Sequence, residues 1–276
     1  MSGLVGGLCG CADFGGIAEM GNNEWRMGND EWLMSWPESE EGSGMTRTIV
    51  KICGLTNLDD SQVAVAAGAD LLGFNFYVKS PRFVTPEKAA AIVGTLQEDK
   101  KNDSISQSPN LSISQSSQFV GIFVNATVAE IQAIVAQVRL DFVQLHGNET
   151  AEWFAPLGGR AFKAMRPADA ETAQTQAAHF APLGCVDGPA LLIDAYDPQA
   201  YGGTGKQADW HVAAALARQY PGLLLAGGLT PENVAAAIDI VRPWGVDVSS
   251  GVEAEPGRKD HEKLRRFVAE VRAQVR

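Results

Sequence analysis

A thiol and a carboxyl each close a short apolar run in this chain. Cys53 ends Thr48–Cys53 and Asp194 ends Leu191–Asp194. Both sit where a buried strand would open to solvent. A cysteine there can serve as a thiolate if cations or backbone dipoles lower its pKa. A carboxyl in the same pocket can hold the proton that a thiolate takes away, which divides acid and base work between two groups. Each residue also has a plain structural reading, Cys53 as a buried core thiol and Asp194 as a turn or capping residue. Arg82, with Lys79 nearby, could grip a carboxylate through its guanidinium fork, or be a solvated loop cation. His146 follows another apolar run and reads as a hydrogen-bonded rim histidine rather than the base. Two further runs end in Ala226-Gly227-Gly228-Leu229 and Asp247-Val248-Ser249-Ser250-Gly251. Glycines at such turns let backbone N–H groups approach an anion, and a following helix adds its dipole. Gly227, Gly228, Ser250 and Gly251 are therefore candidate phosphate contacts, or glycines that only turn the chain. Gly203, within Gly202-Gly203-Thr204-Gly205, belongs to a candidate substrate-covering loop or a plain turn.

These groups need elements to carry them. The chain has 276 residues, 45% of them hydrophobic, enough for one sizeable core. Eight apolar runs rich in Val, Ile, Leu and Phe read as parallel strands: Thr48–Cys53, Leu71–Phe76, Phe119–Val124, Phe142–Leu145, Ala161–Ala164, Leu191–Asp194, Leu223–Ala226 and Val246–Ser249. Helix-length segments separate them, as parallel crossovers require. Thr85-Pro86 and Thr230-Pro231 place a hydroxyl N-cap before a first-turn proline. Thr127 to Glu130 fits a capping box, and Gly68 a helix stop. The alternation predicts an α/β chain forming a single (β/α)8 TIM barrel over 46–276. The count of eight and the terminal glycine turns favour it over an open doubly wound sheet. Every group named so far then lies at the C-terminal rim of the strands, where barrels hold their active sites.

Residues 1–45 show no sustained period and read as a flexible or mis-annotated N-terminal extension, with Met45 a second candidate start. Residues 98–118 read as a low-complexity insertion, in which Asn102–Ser108 is echoed by Asn110–Ser116. The net charge of −11 argues against nucleic acid as the partner. A locally positive pocket for a small anion remains compatible with it. No apolar run spans a membrane, and the first residues lack the basic segment of a signal peptide, so a cytoplasmic location is expected. The four cysteines do not form a disulfide framework. Cys9-Gly10-Cys11 has no ligand partners at zinc-site spacing, and no metal site is predicted.

Taken together, Lys51-Ile52-Cys53-Gly54-Leu55-Thr56, Gly73-Phe74-Asn75-Phe76-Tyr77, Lys79-Ser80-Pro81-Arg82, Gln144-Leu145-His146-Gly147, Asp194 with Tyr201-Gly202-Gly203-Thr204-Gly205-Lys206, Ala226-Gly227-Gly228-Leu229 and Asp247-Val248-Ser249-Ser250-Gly251-Val252-Glu253 resemble the phosphoribosylanthranilate isomerase family. The resemblance covers essentially all of 46–276 apart from the Ser/Gln-rich insertion. It departs at Val78 and Ala195, neither a proposed catalytic group. It implies a cofactor-free Amadori rearrangement in tryptophan biosynthesis, with Asp194 as general acid and Cys53 as general base. It further implies that Arg82 holds the anthranilate carboxylate, Asp247 lies near its amine, and Gly227, Gly228, Ser250 and Gly251 hold the phosphate. The expected partner is a phosphorylated small molecule, bound by a monomer or homodimer. The related two-phosphate isomerase of histidine biosynthesis uses two aspartates, where this chain has Cys53. Indole-glycerol-phosphate synthase relies on lysines, and strand alternation sets Lys51 a layer deeper than Cys53. A barrel that only binds a phosphorylated ligand is the non-catalytic alternative.

Overall fold

The computed structural model describes residues 47–103, 117–195 and 208–274. The N-terminal 1–45, most of the 98–118 insertion, and Gly203 lie outside the described residues.

Eight parallel strands close on themselves in sequence order, β1 (Ile49–Cys53), β2 (Leu71–Asn75), β3 (Gln118–Phe123), β4 (Phe142–Leu145), β5 (Ala161–Met165), β6 (Leu191–Ile193), β7 (Leu223–Leu225) and β8 (Gly245–Val248). Closure is completed by β1 pairing with β8, Lys51 opposite Asp247. All eight predicted strands are present, with ends displaced by at most one residue. The crossovers carry α1 (Leu58–Ala67), α2 (Pro86–Asp103), α3 (Val128–Val138), α4 (Ala170–Phe180), α5 (Trp210–Gln219) and α6 (Val234–Val241), and α7 (His261–Ala273) ends the described chain.

Local chemistry explains the helix ends. Asn57 caps α1 by accepting from the Asp60 N–H, and Gly68 ends it at φ 94. Thr127 and Glu130 form the expected capping box on α3; such a cap contributes about 1 kcal/mol. The Thr230-Pro231 pair predicts a helix start that the structure delays. Asn233 and Val234 donate back to the Thr230 carbonyl, a turn forms first, and the helix begins only at Val234. Between β4 and β5 the helix-length segment gives two 3-10 turns, Ala151–Trp153 and Ala155–Leu157. Pro156 cannot donate within a helix, and Gly158 and Gly159 follow at positive φ. One element has no counterpart in the sequence pattern: a hairpin of β9 (Glu253–Glu255) and β10 (Arg258–Lys259) after β8.

Strand alternation sorts the core into two. Val50, Ile52, Leu72, Phe74, Leu145, Leu191, Leu225 and Val246 face the helices. Leu71, Val120, Phe142, Phe162, Leu192 and Leu224 form a second cluster in the barrel interior. Each such side chain, fully buried, favours the fold by about 1.5–3 kcal/mol. The residues two positions beyond the interior cluster stay in phase with it. Leu192 leads to Asp194, Phe142 to Gln144 and then His146, and Ile49 to Lys51 and Cys53.

Candidate active site

The interior changes from apolar to ionisable within one layer. His146 Nε2 lies 3.7 Å from Asp194 Oδ2. These residues follow β4 and β6, which are separated by β5, so the contact crosses the lumen. Lys51, with no exposed surface, donates to Asp247 Oδ1 at 2.8 Å. Cys53 stands above Lys51, partly exposed.

Burial sets the proton equilibria. It pushes Asp194 up to about 6, with Asp247 adding to the rise and the Ala195 N–H, Arg166 and Lys51 opposing it. The carboxyl therefore keeps a proton well above the usual range. Burial also raises the Cys53 thiol, and the Asp247 charge adds to this; Lys51 and Lys259 pull it back. Lys51 is held above its ordinary value: burial works against its charge, and Asp247 and Cys53 outweigh burial. His146 is driven down to about 3 by burial and by Arg166, Lys51 and Lys163, so it is a neutral imidazole. Gln144 Nε2 lies 2.8 Å from its Nδ1.

On the next side of the mouth, Arg82 grips Glu253 with both arms of its fork, Nε to Oε1 at 2.8 Å and a terminal nitrogen to Oε2 at 2.7 Å. Glu253 also accepts from Lys259 Nζ at 3.0 Å. Despite its burial, these two cations hold the Glu253 carboxyl below its usual range. The hairpin thus braces the loop after β2. Lys79 is exposed in that loop.

The turns after β7 and β8 meet. Gly227 and Gly228 take φ 87 and 65, a region open to glycine at little cost. Ser250 and Gly251 lie in the 3-10 turn Ser250–Val252. A Cβ on Gly251 would stand 1.9 Å from the Leu229 carbonyl oxygen, so only glycine lets the two turns touch. Gln144 Oε1, His146 Nε2 and Ser249 Oγ, all at the rim, are buried without a hydrogen-bond partner. Buried polar atoms seldom stay unpaired in a finished site.

Cys53, His146, Asp194 and Asp247 are therefore brought to one lumen, with Arg82 and the four turn residues on its rim. The sequence pattern raised Lys51 only as a synthase-type lysine and set it aside, and did not single out Glu253, Lys259 or Arg166. For Lys51 the signal was present, two residues from Cys53 on the same strand face. For Glu253 and Lys259 it lay in a hairpin that periodicity does not reveal.

A closed (β/α)8 barrel with ionisable groups gathered at the C-terminal ends of its strands has the architecture of a barrel enzyme. Comparison with known proteins narrows this class. A model of the N-(5'-phosphoribosyl)anthranilate (PRA) isomerase family matches residues 50–270. The chain is 45% identical over 219 residues to the N-(5'-phosphoribosyl)anthranilate isomerase of Geobacter sulfurreducens, covering 79% of this chain and 96% of that one. The Geobacter metallireducens protein of the same name is 43% identical over 224 residues, covering 81% and 98%. The crystal structure of phosphoribosyl anthranilate isomerase from Thermotoga maritima superposes with a TM-score of 0.67 at 35% identity, covering 82% of this chain and 99% of that one. Another isomerase structure, in complex with reduced 1-(o-carboxyphenylamino)-1-deoxyribulose 5-phosphate, gives a TM-score of 0.64 at 34% identity, with the same coverage. The chain belongs to the N-(5'-phosphoribosyl)anthranilate isomerase family.

Proposed function

We propose that the chain rearranges N-(5-phospho-β-D-ribosyl)anthranilate to 1-(2-carboxyphenylamino)-1-deoxyribulose 5-phosphate, with Asp194 as general acid and Cys53 as general base. The reaction serves tryptophan biosynthesis. The observation that carries this reading is a buried Asp194 that keeps its proton up to about pH 6, facing the same lumen as the strand-one thiol. Asp194 gives its proton to the furanose ring oxygen. The C1′–O bond breaks and the anthranilate nitrogen lone pair forms the C1′=N iminium. The Cys53 thiolate takes the C2′ proton, and that electron pair moves through C1′ to neutralise the nitrogen. The resulting enolamine tautomerises to the 2-ketone. The nitrogen both supplies and receives the electron pair, so the route needs no cofactor and no metal.

Arg82 is assigned to the anthranilate carboxylate. Glu253 engages part of its fork and fixes its plane, leaving its other N–H groups for a ligand. Asp247, paired to Lys51, is assigned to the amine side. The phosphate is assigned to the turns of Gly227, Gly228, Ser250 and Gly251, the usual place for phosphate in this fold. His146 and Gly203 are further candidate contacts. We assign the chain to the cytoplasm as a monomer or homodimer acting on small molecules rather than nucleic acid; among the described residues no helix is long and apolar enough to cross a membrane. The enzyme is tested with phosphoribosylanthranilate made freshly from anthranilate and phosphoribosyl pyrophosphate, following loss of anthranilate-type fluorescence. Wild type turns over, while Cys53→Ser and Asp194→Asn lose at least about a thousandfold in kcat, the scale of losing an acid–base group. Near-normal turnover by either folded variant would sink the assigned role.

A further inference from the structure

Lys51 has no task in the proposed reaction, yet it is completely buried two residues from Cys53. It precedes Cys53 by two residues on β1, so both side chains enter the lumen. Asp247 stands directly opposite on β8 and takes one of the three ammonium donors. A buried ion pair of this kind is a weak source of stability, because loss of hydration offsets its attraction. What the pair does supply is a fixed positive charge under the thiol, held at a set height by the strand register.

We propose that Lys51 is a positioning residue that favours the thiolate form of Cys53, its ammonium anchored by Asp247 and held beneath the sulfur on the same strand face. The inference rests on the reading of Cys53 as the base. Four charged groups act electrostatically on that thiol: Lys51 from β1, Asp247 from β8, Lys259 from β10 and Arg82 from the loop after β2. Lys259 is engaged by Glu253 and the Ser249 carbonyl, and Arg82 by Glu253. Lys51 is the strongest of the cationic influences on the sulfur. Asp247 plays two opposed parts, since it holds the lysine in place while its own charge disfavours the thiolate.

That opposition gives the test. The rate of Cys53 alkylation by iodoacetamide is followed against pH in the full-length enzyme, read on the Cys53 peptide by mass spectrometry. Folding of each variant is checked by circular dichroism. Lys51→Met raises the apparent pKa of Cys53 by at least about one unit, a tenfold smaller thiolate fraction at pH 8. Asp247→Asn lowers it, because the cation stays and the opposing charge goes. The double variant lies between wild type and Lys51→Met, and carries the test if the single variant, with Asp247 left buried and unpaired, does not fold. A pKa that is unchanged or lowered without Lys51, or unchanged or raised in Asp247→Asn, overturns the proposal. This titration uses no substrate. Opposed shifts in an enzyme that fails to isomerise phosphoribosylanthranilate would uphold the role of Lys51 and overturn the functional reading. Turnover with a Cys53 pKa indifferent to Lys51 would do the reverse.

Discussion

Asp194 and Cys53 are both raised in pKa, and this fixes how the enzyme should respond to pH. Catalysis by the proposed route needs Asp194 protonated and Cys53 ionised. Asp194 titrates near 6, and Cys53 above its usual 9.0. Below pH 6 the acid stays protonated while the thiolate fraction grows about tenfold per unit, so kcat/KM rises. Between the two values the gain in thiolate and the loss of acid cancel, giving a plateau. Above the thiol value the thiolate saturates, the acid still declines, and kcat/KM falls. The acid limb therefore belongs to the group that must be protonated, and the alkaline limb to the base. A profile measured from pH 4.5 to 10.5 that rises straight through to the thiol range, with no break near 6, would count against the assignment. The rim positions of Cys53, Asp194 and Arg82 were legible because each closes or follows a strand-like run. Their partners were not. The pairing of Lys51 with Asp247 depends on strand register, and that of Arg82 with Glu253 joins residues 171 positions apart.

Among the elements, the turns after β7 and β8 are legible from glycine alone, and the two do converge. Their closeness sets a measurable constraint. Gly251→Ala puts a methyl 1.9 Å from the Leu229 carbonyl, which forces a backbone shift costing about 1–3 kcal/mol. Thermal unfolding should fall by several degrees. KM for the phosphorylated substrate should rise roughly tenfold, with kcat less affected. Thermal unfolding and steady-state kinetics on the variant check both; an unchanged KM in a folded variant would remove Gly251 from the phosphate site. Helix ends are legible where a cap is local, as at Thr127 and Gly68. They are not at Thr230, where a turn intervenes, nor between β4 and β5. The hairpin β9–β10 leaves no mark in the pattern because its strands are two and three residues long, too short for a period. It nevertheless supplies Glu253 and Lys259, which tie the rim together.

At the scale of the molecule, the family match begins at residue 50, and relatives of nearly equal length to the matched region align almost end to end. A chain reduced to residues 46–276 should therefore keep kcat/KM within about twofold of the full chain, as termini outside a domain core commonly allow. The fluorescence assay on both chains checks it, and a folded but inactive 46–276 would give the first 45 residues a part in the reaction. The acidic net charge of −11 does not oppose an anionic ligand here, since Lys51, Arg82 and Lys259 gather in the mouth. By itself the sequence determined the number and order of the strands, the rim on which the ionisable groups sit, and the glycine turns. Those properties are written in local periodicity and in the residues that close each apolar run. Only closure of the barrel decided which charges meet. Hydrogen bonding between β1 and β8 brings Lys51 to Asp247, and the shared lumen brings His146 to Asp194. Loss of water inside that lumen then shifts the proton equilibria.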